Sequence, residues 1–137
     1  MSSILDDNFL SVIKLINNSN GKLIITGIGK SAIIAMKISA TLNSTGTKSV
    51  FIHASDALHG DSGIIDMDDV VLFISKSGST KEIKNFVEIV KTNGNKTIAL
   101  TSNKKSFLSN KVDLVLNIDI EKDITNKKDN NKKDEWE

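Results

Sequence analysis

Five short runs of apolar, mostly β-branched residues recur along this 137-residue chain, at 22–26, 49–53, 70–74, 97–101 and 114–118. Each run is nearly continuous, not alternating, which is the pattern of a strand covered on both faces, and such strands belong to parallel sheets packed between helices. The segments between them follow the other period. Ile34, Ala35, Ile38 and Leu42 repeat at helical spacing within 31–43, and Ile83, Phe86, Val87 and Val90 do so within 81–92. Strand and helix in alternation predict βαβ units. Ahead of the first strand, Ile4, Phe9, Val12, Ile13 and Ile16 predict a further helix, ended within 17–21, where Gly21 is expected as a left-handed cap.

A mass of 14.9 kDa suffices for one core. Residues 1–124 are expected to form that single domain. The pattern dissolves after Ile120, and 125–137 reads as a polar tail of Lys, Asp, Asn and Glu that buries too little apolar surface to order itself, with Trp136 its one apolar anchor. No apolar run approaches the roughly 20 residues of a membrane helix, and the first residues lack the basic and apolar regions of a secretory signal. A cytoplasmic protein is expected. The absence of cysteine excludes disulfides, thiolate nucleophiles and Cys-based zinc sites. A net charge of +1 creates no field that would gather nucleic acid, and the lysine pairs at 104–105, 127–128 and 132–133 have no aromatics among them for base stacking.

In open α/β sheets, ligands bind beyond the carboxyl ends of the strands, so the residues following each strand carry the functional information. After the first run comes Gly27-Ile28-Gly29-Lys30-Ser31. This is no Walker A loop, because Ile24 stands where its first glycine would be. A loose dinucleotide pattern is met by Gly27, Gly29 and Ala32, but the second strand ends in His53 and Ala54, with no acid to hold a ribose. A plain strand-to-helix turn is the alternative reading. The third run leads into Ser75-Lys76-Ser77-Gly78-Ser79-Thr80, whose hydroxyls and helix N–H groups together suit a phosphate dianion. One such hydroxyl is needed as a helix cap; four exceed that need. Residues 53–61 contain both histidines, His53 and His59, without the spacing of a metal site. Asp66, Asp68 and Asp69 have no calcium-loop spacing and read as turn residues.

Taken in order, Gly-Ile-Gly-Lys-Ser at 27–31, Ser-Thr-Gly-Thr at 44–47, His-Ala-Ser-Asp-Ala-Leu-His-Gly-Asp-Ser-Gly at 53–63 and Ser-Lys-Ser-Gly-Ser-Thr-Lys-Glu-Ile at 75–83 resemble the sugar-isomerase (SIS) domains, in particular the arabinose-5-phosphate isomerases. The likeness covers about residues 22–123. It implies a three-layer αβα sandwich with about five parallel strands in flavodoxin-like order, forming homo-oligomers, usually tetramers. It further implies interconversion of ribulose 5-phosphate and arabinose 5-phosphate. On this resemblance Lys30 and Glu82 match catalytic positions, and Asp123 stands where the family carries a second catalytic glutamate. Gly46, Thr47 and His59 match substrate-contacting positions, and Ser75, Ser77 and Thr80 match the phosphate loop, with Ser31 beside Lys30 assigned to the substrate as well. His53 matches a histidine that can take a divalent metal, though no cofactor is required for turnover. Beyond residue 123 the family continues to a His-Pro-Gly-Gly motif and often to paired CBS domains. This sequence has no proline and no histidine after His59. Two functions follow, an aldose-ketose isomerase and a module that binds a phosphosugar without converting it; dinucleotide binding is a distant third.

Overall fold

The computed structural model describes residues 7–58 and 60–119. Its elements run α1 (Asp7–Asn17), β1 (Leu23–Gly27), α2 (Lys30–Ser44), β2 (Ser49–His53), α3 (Ala54–Ala57), a 3-10 turn (Asp61–Ile64), β3 (Val70–Ile74), α4 (Lys81–Thr92), β4 (Lys96–Thr101), α5 (Phe107–Lys111) and β5 (Leu114–Asn117). All four strand pairings are parallel, in the order β2-β1-β3-β4-β5. This is the expected flavodoxin-like sheet, with strand ends within one residue of the apolar runs. The expected 125–137 tail, with Trp136, lies outside the described residues.

Successive side chains of a strand point to opposite faces, so continuous apolar strands build two cores at once. Leu23 and Ile25 of β1 join Leu72, Ile74, Ile98 and Leu100 under Val12 of α1 and Ile34 and Ala35 of α2. Ile24, Val71, Phe73 and Ala99 face the other way, onto Ile83, Phe86, Val87 and Val90 of α4 and Leu108 of α5. Phe73 and Phe86 meet edge-to-face with ring centroids 5.4 Å apart, a geometry that adds about 1 kcal/mol to their area burial. The result is three layers, α1 and α2 on one face and α3, α4 and α5 on the other.

Three short elements lie beyond what the sequence pattern predicts: α3, the 3-10 turn and α5. Each has four or five residues, too few to show a helical period or to nucleate alone, so tertiary contacts hold them.

At the amino ends of the strands the reading of Gly21 needs correction. Its φ is not positive, and α1 is closed instead by Asn18 N–H on Lys14 O and Ser19 N–H on Ile16 O. Glycine is required there for space, since a Cβ would come within 2.6 Å of the Asp68 backbone. That close approach belongs to a polar lock. Asp69, buried at the start of β3, accepts from Lys22 Nζ at 2.7 Å and from the backbone N–H groups of Lys22 and Asp66 at 2.9 and 2.8 Å. Asn95 donates to the carbonyls of Asp66 and Asp69. The aspartates do form a turn, but Asp69 also ties β1 to β3.

Candidate functional site

The strand order reverses at β1. The chain leaves β1 for β2 on one side and then crosses to β3 on the other, so the loops after β1 and β3 diverge and open a crevice at the carboxyl edge. Thr26 of β1 pairs with Phe73 of β3, which brings residues 28–30 and 75–80 out on adjacent strands.

The two glycines after β1 serve different needs. A Cβ on Gly27 would lie 2.8 Å from the Ser31 backbone, so glycine lets α2 cross the strand end. Gly29 has φ 63°, where a side chain is strained. The turn sets Lys30, half-buried, as the first residue of α2 at the mouth of the crevice. Ser31 follows, fully buried in the first turn.

The loop 75–80 is rigid for reasons lying outside it. Ser75 N–H donates to Leu100 O, Ser102 N–H to Lys76 O and Leu108 N–H to Gly78 O. Thr101 Oγ1 donates to Lys76 O and Asn103 Nδ2 to Ser77 O. Gly78 has φ 71°, and a Cβ there would meet Ser106 Cβ at 2.6 Å. Thus Thr101 at the end of β4, with Asn103 and Ser106 in the segment after it, clamps the loop; the place at a strand end was the only sequence signal for this role.

Within the loop the hydroxyls divide. Ser75 Oγ, fully buried, accepts from Gly78 N–H at 2.8 Å, and Ser77 Oγ accepts from Ser79 N–H at 3.2 Å. These two shape the turn. Thr80 is the N-cap residue of α4, yet its side chain makes no capping bond, and its buried Oγ1 has no partner among the described residues. The first-turn N–H groups of α4 have no intrahelical acceptor. With the helix dipole they give the crevice a positive end suited to an anion. Glu82 stands in that same first turn, partly exposed.

His53 ends β2 beside Gly27. Its Nδ1 accepts from Ser55 N–H at 3.2 Å and lies 2.8 Å from Ser55 Oγ. An Nδ1 that accepts from an amide puts the proton of the neutral ring on Nε2, the opposite of a histidine that ligates through Nε2. In this arrangement His53 caps α3 through Nδ1, and among the described residues there is no group of three His, Asp or Glu able to hold a metal.

Gly46 and Thr47 follow α2 and precede β2, at the amino edge of the sheet. The fold therefore separates them from Lys30, Glu82 and the 75–80 loop within the chain. His59 and Asp123 lie outside the described residues. Among the described residues no helix is long and apolar enough to cross a membrane.

Comparison with known proteins agrees with this fold. The SIS domain model matches residues 15–128. A Haemophilus influenzae protein named "Probable arabinose 5-phosphate isomerase" is 45% identical over 124 residues, covering 90% of this chain and 37% of that protein. The arabinose 5-phosphate isomerase KpsF of Escherichia coli O6:H1 is 48% identical over 107 residues, covering 78% of this chain and 33% of its own length. The chain thus spans about a third of the length of these relatives. A solved Escherichia coli structure, in complex with arabinose 5-phosphate, superposes with a TM-score of 0.81 at 41% identity, covering 85% of this chain and 61% of that one.

Proposed function

This chain belongs to the SIS domain family, and from that premise we propose that it binds a phosphorylated pentose in the crevice beyond β1 and β3 and interconverts ribulose 5-phosphate and arabinose 5-phosphate. The observation that carries the proposal is the start of α4: an uncapped helix N-terminus and an unpartnered hydroxyl, Thr80, on a loop clamped from β4. Such a site holds a dianion without having to reorganise. The isomerisation moves a proton between adjacent carbons through a cis-enediolate. Glu82, one residue into α4, takes and returns the proton, and Lys30 across the crevice offsets the charge growing on the enediolate oxygen. Asp123 supplies the second carboxylate. Only protons move, so the chemistry calls on no hydride acceptor. The proposed location is the cytoplasm.

A homo-oligomer is part of the same reading. Gly46 and Thr47 lie at the far edge of their own sheet, so their contact with ligand requires another copy. Apolar surface is available for association: Leu10 and Ile13 of α1 and Ile33 and Met36 of α2 are exposed on one layer, at 55, 41, 50 and 46%. Light scattering at micromolar concentration is expected to give a multiple of 14.9 kDa; a monomeric mass throughout removes Gly46 and Thr47 from the site.

The site itself is tested by thermal unfolding. At one hundred times Kd, arabinose 5-phosphate adds about 2.7 kcal/mol to the folded state, roughly 5 to 15 °C in Tm for a domain of this size. Arabinose without its phosphate is expected to do little. Thr80→Ala reduces the phosphate-dependent shift while leaving ligand-free stability unchanged, because there is no capping bond to lose. A shift caused by NAD and not by the sugar phosphate would overturn the assignment, and a shift without turnover leaves a binding module.

A further inference from the structure

Thr26, the penultimate residue of β1, is 0% exposed, and its Oγ1 has no hydrogen-bond partner among the described residues. Packing does not account for a hydroxyl here. A buried hydroxyl without a partner destabilises, and valine fills the same volume without that cost. The register shows where the group faces. The Cα partners of Thr26 are Ile52 and Phe73, both of which lie in the apolar cluster with Ala54 and Ala57 of α3 and Ile83 in the first turn of α4. Thr26 therefore faces the α3 and α4 layer at the carboxyl end of the sheet, below the crevice. Thr80, the other buried and unpartnered hydroxyl, stands at the start of α4. Both orphaned hydroxyls lie at the end of the fold where the first-turn N–H groups of α4 await an acceptor.

We infer that Thr26 is a phosphate-binding residue, its hydroxyl donating from the floor of the crevice, directly or through one ordered water, to the dianion that Thr80 and the first turn of α4 hold at the rim. This rests on the phosphosugar site proposed above and adds to it a residue outside the 75–80 loop. It also explains a threonine on a strand whose other inward positions are apolar.

The test is titration of wild type, Thr26→Val and Thr26→Ser with arabinose 5-phosphate and with inorganic phosphate, following Tm and binding heat. Thr26→Val is expected to melt at or above the wild-type temperature without ligand, yet to bind both ligands about 10- to 100-fold more weakly. Thr26→Ser, which keeps the hydroxyl, is expected to stay close to wild type. If the valine variant does not fold, Thr26→Ala replaces it in the comparison with serine. Wild-type affinity in the hydroxyl-free variant overturns the inference while leaving the site standing. Weaker binding of the sugar phosphate alone, with inorganic phosphate unaffected, overturns the assignment to the phosphate. A wild-type protein that binds neither ligand overturns the site and this residue with it.

Discussion

If the proposed isomerisation holds, Lys30→Ala and Glu82→Gln are each expected to lower the rate of conversion of ribulose 5-phosphate to arabinose 5-phosphate by about 10²- to 10⁴-fold, the range that follows when one acid-base group or one charge facing a developing oxyanion is removed. Both residues stand in first turns, Lys30 opening α2 and Glu82 second in α4, and neither belongs to the apolar clusters. The fold is therefore retained in both variants, which circular dichroism and Tm check. The split between constants separates the roles. Glu82→Gln keeps the size and polarity of the side chain, so the loss falls on kcat with KM little changed. Lys30→Ala is expected to raise KM as well, because in the proposed site the ammonium also faces the substrate's negative charge in the ground state. Wild-type rates in either variant would remove that residue from the mechanism.

Asp69→Ala is expected to cost about 3 kcal/mol of folding stability, because one partner of a buried ion pair is removed and the other stays, and to lower Tm by roughly 10 °C. The Asp69 side chain is 2% exposed and Lys22's 17%, so solvent screens the pair little. The substitution also leaves the N–H groups of Lys22 and Asp66 without their acceptor. The pH dependence carries a sign. Burial by itself would push the Asp69 carboxyl up, but the hydrogen bonds from Lys22 and from the two backbone N–H groups outweigh it and hold the pKa below 3.8. A depressed folded-state value means that the contribution is complete above the unfolded value and is lost as pH falls through the folded one. Lys22 is raised above 10.5, chiefly by its hydrogen bond to Asp69, so its share is lost only as pH rises beyond that. Urea unfolding is therefore expected to show wild-type stability falling below about pH 4, with Asp69→Asn flatter over that acid range. Equal acid sensitivity in the two proteins would place the titrating group elsewhere.

The five strands, the two long sheet-packing helices and the crevice loops were legible in the order of residues because the signals are local. A parallel strand covered on both faces must be apolar at every position, as in Val70-Val71-Leu72-Phe73-Ile74, and a helix packed on it must repeat every three to four residues, as Ile83, Phe86, Val87 and Val90 do. Glycines and hydroxyls after such strands mark where a ligand meets the sheet. What only the tertiary structure decided are relations between distant segments. Ser75, Ser77 and Thr80 have the same hydroxyl in the sequence; the loop's geometry makes two of them turn-formers and leaves the third unpartnered. The clamp on that loop comes from Thr101, Asn103 and Ser106, about 25 residues on, and the lock between Lys22 and Asp69 spans 47 residues. The family resemblance matches Gly46 and Thr47 to substrate-contacting positions, yet a parallel crossover returns the chain to the opposite edge before each new strand, and it carries them there. Local periodicity selects the elements, but which polar group finds a partner depends on contacts that exist only once the sheet has assembled.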